Sequence, residues 1–360
     1  MQDIIIDYII PTYYDSSIVK NSLDKLCRQT MKDNLKVIIV NDCSPNTDCN
    51  YQDIIDEYRD TLDITVVKTP YNSGPGMAMQ YGIDAGTSKY YLIQDDDDCI
   101  ASDDVIESYI KVIKKHINEN NIISIMGDAA LCDKDYNTIH IIRDSIVHGR
   151  LFYRDFMESH NIRYTDNVSW WVDDYYLNSL ILLEGRHNYK DIKLDKICYL
   201  YRVGLDGSVT NKMGKYEQLF RSIALDVEIR KFLDIKYGID NDIRVYKNIN
   251  KKLFDTMLML ILIQYNTNVI REREWNILSE YRKYLLNIIK NTNKCDYIED
   301  GRLFDNYRDY VLGYNNDEKI LEDINIDEET LSNMYYTYLD DSKTMFNCNY
   351  NEIDSMIKES

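Results

Sequence analysis

No two of the eight cysteines form a CxxC pair, and none joins a histidine cluster. That scatter argues against a zinc site and fits a reduced cytosolic protein. Long apolar runs are missing too. The stretch Met257 to Ile263, inside LFDTMLMLILIQY, falls far short of the roughly 20 residues a membrane span needs and reads as a core helix. No charged-then-apolar segment opens the chain, so a cytoplasmic location is expected. Proline is scarce, 4 in 360 residues, against 32 tyrosines and many Asn, Asp, Ile and Lys. Those residues share AT-rich codons, so no aromatic platform for nucleic acid is read into the tyrosines.

Acid is plentiful and unevenly spread. The formal net charge is −19, made of −13 over residues 1–210, +6 over 211–294 and −12 over 295–360. An acidic whole favours solubility and disfavours attraction to nucleic acid or anionic membrane, although the basic middle weakens this locally. Ordinary solvated helix faces account for that middle stretch as well.

The first 130 residues alternate between two periodicities. Short apolar β-rich runs occupy Ile4–Ile10, Leu35–Val40, Ile64–Val67, Tyr90–Ile93 and Ile122–Met126. Helical spacing lies between them: a helix capped by Ser16 and carrying Leu23 and Leu26, one over Gly74–Ala85, and one from Ser102 through His116. This pattern predicts a Rossmann-like α/β fold with a mostly parallel sheet covered on both faces. In such sheets ligands bind beyond the carboxyl ends of the strands. Beyond residue 130 the pattern loosens around a helix at Val172–Leu183. From about 215 it turns helical, over Leu219–Tyr237, Arg244–Gln264 and Glu274–Ile289. Two regions follow, an α/β region over 1–210 and a mainly helical region over 211–360.

The residues just after three strands are Pro11-Thr12-Tyr13-Tyr14, Asn41-Asp42-Cys43-Ser44 and Gln94-Asp95-Asp96-Asp97-Asp98. Consecutive carboxylates at the end of a buried strand repel one another unless a positive charge sits among them. A hard divalent ion, Mg²⁺ or Mn²⁺, resolves that repulsion. An acidic surface loop leading into the helix at Ser102 is the alternative reading.

Taken in order, Ile9–Tyr13 and Val37–Ser44 resemble the "IIPTYN … IIVVDDGS" opening of the family 2 glycosyltransferases. Asn72-Ser73-Gly74-Pro75-Gly76-Met77-Ala78, running on through Gly82, Ala85 and Tyr90, is similar to the family's "NxGxxxARNxGxxxAxGxY". It leads directly into Asp95–Asp98, which matches "DxDD". Ser169-Trp170-Trp171-Val172-Asp173-Asp174 is similar to the segment ending in the family's "ED" pair, with Asp in place of Glu. Tyr199–Thr210 is similar to "YRxHxxSxS", except that no histidine occupies it.

The resemblance covers roughly residues 4–210 and implies a GT-A fold with metal-dependent, inverting transfer from a UDP-sugar. It places Pro11, Thr12, Tyr14, Asp42, Asn72, Gly74, Asp95, Asp96 and Arg202 around the nucleotide sugar, Asp42 accepting the uracil N3–H. Asp97 is the expected metal contact, with Asp95 nearer the ribose and also a metal candidate. Asp174 is the expected general base and Asp173 its partner at the helix start, with Trp170 and Trp171 as a wall for a sugar ring. Arg202 or Ser208 would touch the diphosphate. The histidines at 116, 140, 148, 160 and 187 show no paired spacing and are expected to be structural or exposed.

The acceptor expected is a glycan, a lipid-linked sugar or a protein hydroxyl. A hydroxylated DNA base ranks behind these, motivated by the basic stretch and opposed by the total charge. A nucleotidyltransferase would need a basic triphosphate loop, which Thr12–Ser17 lacks. A non-catalytic sugar-binding relative would have no use for both the acidic run and Asp173-Asp174.

Overall fold

The computed structural model describes residues 4–13, 16–45, 51–143, 147–168, 173–185, 188–203 and 215–237, together with 277, 280 and 281. The chain divides into two compact units, Met1–Lys212 and Met213–Ser360.

The first unit is built on strands β1 (Ile6–Thr12), β2 (Leu35–Asn41), β3 (Asp63–Lys68) and β4 (Tyr90–Ile93), whose partners are all parallel in the order β3-β2-β1-β4. Every residue of β1 is buried, as expected of a strand covered on both faces. The two faces separate with period two. Ile6, Tyr8 and Ile10 join one core with Leu23 and Leu26 of α1 (Lys20–Cys27), Ile54 of α2 (Tyr51–Tyr58) and Tyr109 and Ile113 of α4 (Val105–Lys115). Asp7 and Ile9 face the other way, toward α3 (Pro75–Ala85). Asp7, only 1% exposed, is tolerated because Arg154 Nη2 donates to it at 2.9 Å and the Ser88 hydroxyl and amide also donate.

Beyond β4 the sheet changes character. Here β5 (Cys99–Ile100), β6 (Ile122–Cys132), β7 (Thr138–Ile142), β8 (Arg150–Tyr153) and β9 (Lys190–Arg202) continue the order as β4-β8-β6-β9-β5, with β7 on β6. The β4–β8, β6–β8, β6–β7 and β5–β9 pairings are antiparallel and only β6–β9 is parallel. The expected α/β architecture is present, and its antiparallel half is the part that apolar periodicity did not reveal. Helices α5 (Arg154–Ser159) and α6 (Asp173–Glu184) complete the first unit's helices among the described residues. Ser16 begins a 3-10 turn over Ser16–Val19 instead of capping an α-helix; α1 follows it and receives no side-chain cap at Val19.

In the second unit, α7 (Lys215–Tyr237) carries an almost fully buried Arg230 that donates to Asp234 at 2.9 Å. The helices expected over Arg244–Gln264 and most of Glu274–Ile289 lie outside the described residues. No described helix is long and apolar enough to cross a membrane.

Candidate active site

Because β2, β1 and β4 are parallel neighbours, the loops that follow them open on one edge of the sheet. Pro11 and Thr12 end β1 and are buried. Asp42 follows β2 and is 3% exposed. Its Oδ1 accepts the Ser73 amide at 2.9 Å, the Ser73 hydroxyl at 2.7 Å and the Thr69 hydroxyl at 2.8 Å, and its Oδ2 accepts the Gly74 amide at 2.8 Å. Asp42 thus ties the end of β2 to the entrance of α3, where Gly74 has φ 85° and ψ 165°, a conformation that a side chain all but forbids. Asn72 lies two residues earlier in the same loop. Oδ2 retains acceptor capacity beyond its one internal donor.

The acidic run forms the turn between β4 and β5, closed by the Asp98 amide donating to the Asp95 carbonyl at 3.2 Å. Its last member differs from the rest. Asp98 is 1% exposed and accepts the Tyr199 hydroxyl at 2.6 Å and the Arg202 amide at 2.7 Å. Beneath the turn, buried Gln94 accepts from the Tyr8 hydroxyl and donates to Ser22 Oγ at 2.6 Å, while Ser22 donates to the Asp98 carbonyl at 2.6 Å. With Asp98 and Gln94 fixed, Asp95, Asp96 and Asp97 are left half-buried at the rim.

His148 enters from the antiparallel half. Strand β8 pairs with β4 as Tyr90↔Tyr153 and Tyr91↔Phe152, and that register, continued, brings position 148 opposite position 95. Its Nε2 lies 3.4 Å from Asp95 Oδ2 and 3.0 Å from Asp174 Oδ2. The ring stacks on Tyr199 at a centroid distance of 5.3 Å. Of the two expectations for His148, structural or exposed, the second is excluded: it is 11% exposed and lies between the carboxylates of Asp95 and Asp174. Asp174 is the second residue of α6, with Oδ2 on His148 and a buried Oδ1 that has no hydrogen-bond partner. Asp173 is the first residue of that helix. Burial raises the Asp97 pKa, and Arg202, at the end of β9 with its guanidinium 5.1 Å from the Tyr136 ring centre, opposes that rise by its charge. Tyr14, Trp170, Trp171 and Ser208 lie outside the described residues.

The electrostatics follow from crowding. Burial pushes Asp95 up to about 6, with His148 opposing and the Asp174 and Asp97 charges adding to the rise. Burial likewise raises Asp96 to about 7, opposed by the Thr12 hydroxyl, and Asp98 to about 8, reinforced by Asp95 and Asp97. Burial disfavours a charged His148, yet Asp95 and Asp174 outweigh it and hold the imidazole pKa well above its ordinary value. Five carboxylates thus face two cationic groups, His148 and Arg202, an imbalance that a cation relieves. Among the described residues no three His, Cys, Asp or Glu side chains form a ready-made metal cage. One or two carboxylates with the remaining positions left to phosphate and water is the way an Mg²⁺-type ion is held at a nucleotide site. The oxygen-donor set at Asp95 and Asp97 fits that manner of binding.

Comparison with known proteins bears on this edge. Residues 7–178 match the model of Glycosyl transferase family 2. A poly(ribitol-phosphate) beta-glucosyltransferase of Bacillus spizizenii is 31% identical over 107 residues, 29% of this chain and 16% of that protein. An uncharacterized glycosyltransferase of Haemophilus influenzae is 25% identical over 145 residues, 39% of this chain and 53% of that one. The chain therefore spans about a sixth and about half of the lengths of these two relatives. Among solved structures, S. aureus TarS is similar with a TM-score of 0.52 at 14% identity, covering 85% of this chain and 52% of that chain. TarS 1–349 in complex with UDP-GlcNAc gives 0.51 at 15% identity, covering 94% and 92%. These two likenesses concern the fold.

Proposed function

We propose a reaction for a chain whose residues 7–178 are a Glycosyl transferase family 2 domain: metal-dependent transfer of a sugar from a UDP-sugar to an acceptor hydroxyl, with inversion at the anomeric carbon. The observation that carries this reading is the meeting of Asp95 and Asp174 across His148 at the carboxyl edge of the parallel strands. It joins an acidic, cation-seeking turn to a carboxylate whose Oδ1 lacks a partner. The UDP-GlcNAc bound by TarS 1–349 supports a uridine donor.

In this reading Thr12 and Asp42 line the nucleotide, and Asp42 Oδ2 accepts the uracil N3–H. Pro11, Asn72, Gly74 and Asp96 shape the pocket around it. Asp97, with Asp95 beside it, holds Mn²⁺ or Mg²⁺, which when bound neutralises charge on the diphosphate leaving group. Arg202 adds a second positive charge near Asp97. The acceptor oxygen attacks the anomeric carbon, the bond from that carbon to the diphosphate oxygen breaks, and the Asp174 carboxylate takes the hydroxyl proton. The acceptor class proposed is a glycan or other polyol, by analogy with the poly(ribitol-phosphate) substrate in the Bacillus spizizenii enzyme's name.

The test is a screen of nucleotide sugars for nucleotide release with Mn²⁺, paired with calorimetry of UDP in Mn²⁺ and in EDTA. UDP-sugars are expected to be turned over and UDP to bind more tightly with metal. Asp97→Ala abolishes that metal advantage, and Asp174→Asn keeps UDP affinity while transfer falls roughly 10²–10⁴-fold, the usual worth of a general base. Equal UDP affinity in both buffers would remove the metal assignment. No turnover of any donor would remove the transferase reading.

A further inference from the structure

Resting on that reading of Asp174 as the base, we propose that His148 is the positioning residue of the reaction: it holds the Asp174 carboxylate through Oδ2 in the orientation from which it takes the acceptor proton.

The geometry carries this in three steps. First, a single nitrogen, Nε2, faces both carboxylates, at 3.0 Å from Asp174 and 3.4 Å from Asp95. Ionised carboxylate oxygens only accept, so Nε2 must carry the proton whatever the ring's charge. The shorter distance makes Asp174 the principal acceptor and Asp95 the secondary one. Second, the ring is not free to swing, because it is stacked on Tyr199, whose hydroxyl is committed to Asp98 at 2.6 Å. His148 is thereby registered to the acidic turn by packing as well as by hydrogen bonding. Third, the hydrogen bond to Oδ2 is what fixes the carboxylate: Oδ1 is buried without a hydrogen-bond partner, so no second contact of that kind competes with His148 for its orientation.

Helix α6 alone does not supply this orientation, since a carboxylate at its second residue is free to choose among rotamers. His148 removes that choice. Orientation of this kind is where misplacement by about 1 Å can cost about 10²-fold in rate.

Two measurements test the proposal on the full chain. In metal-free protein labelled with ¹⁵N-histidine, two-bond ¹H–¹⁵N correlation should show His148 Nε2 protonated. Asp174→Asn should move the His148 signals, while Asp56→Asn, on the exposed side of α2 beside Arg59, should not. An unprotonated Nε2, or His148 signals indifferent to Asp174→Asn, overturns the proposal without any assay of activity. In the second measurement, UDP-sugar turnover at saturating donor should fall about 10²-fold in His148→Ala. UDP affinity should stay within about threefold, and His148→Gln, which keeps a donor at the same reach, should recover at least a tenth of wild-type turnover. In an Asp174→Asn background His148→Ala should cost less than a further twofold, because the group it acts through is already disabled. Turnover unaffected by His148→Ala, a loss shared equally by UDP affinity, or an undiminished effect on top of Asp174→Asn each overturns it. If the wild type turns over no donor, the transferase reading has failed, and the ¹⁵N experiment still decides the contact.

Discussion

Asp96 is a carboxyl group kept partly out of water beside two like charges, and this makes the metal-free protein sensitive to pH. Its folded pKa, about 7, lies above the ordinary carboxylate value of 3.8. Between those values the folded state retains a proton that the unfolded chain has released. Stability therefore falls as pH rises through that window, and the penalty is fully present above about 7. The expected outcome is a lower melting temperature at pH 8 than at pH 6 in EDTA, with the difference reduced in Asp96→Asn and reversed in part by Mn²⁺ at pH 8. A scan that is identical in the variant would show that Asp96 is ionised at no cost. At the same scale, Asp42 holds Ser73 and Gly74 in place, in addition to the base-reading role proposed for it. That internal role was invisible in the sequence, because no local pattern states which amides a carboxylate will meet. The acidic run was legible because its four members are consecutive. His148 was not, because its partners are distant in the chain, Asp95 meeting it by way of the antiparallel β4–β8 pairing and Asp174 from the start of α6.

Helix α3 shows how an element is held close enough to serve the site. At Gly82 an added Cβ would run into Ile9 of β1 and come within 2.9 Å of Val40 Cγ2 on β2. The absence of a side chain there lets the helix lie directly on the two strands whose ends carry Thr12 and Asp42. Gly82→Val is expected to lower the urea midpoint by an amount equivalent to about 1–3 kcal/mol, the usual cost of overpacking, and to weaken UDP binding through displacement of the Ser73–Gly74 loop. A variant that unfolds at the wild-type midpoint would show that α3 stands further from the sheet. The early strands were readable from their apolar runs because β1, β2 and β4 are covered on both faces. Strand β9 was not, because its first part, residues 190–196, is largely charged and exposed and only its second part, from Ile197, is apolar and withdrawn from water. The exposed β7, with Ile139 and Ile141 in water, likewise lacks the burial that would make its pattern informative.

At the scale of the molecule, every described residue assigned to the site lies within Met1–Lys212, one of the two units. A fragment ending at Lys212 is therefore expected to bind UDP with Mn²⁺ as tightly as the full chain, measured by calorimetry on both. A fragment that is folded by circular dichroism yet fails to bind would give residues 213–360 a part in the donor pocket.

Within the first unit, the strand that completes the acidic turn comes late. Strand β9 pairs Leu200 with Cys99 and Tyr199 with Ile100, and the Arg202 amide closes on Asp98 from 104 positions along the chain. During synthesis at the ribosome the acidic turn is thus translated long before the strand that shapes it. A nascent chain released or cleaved ahead of residue 202 holds the carboxylates of the turn without the tyrosine and amide that organise them. Closing so long a loop is slow relative to local contacts, so the acidic turn takes its finished shape only when β9 docks.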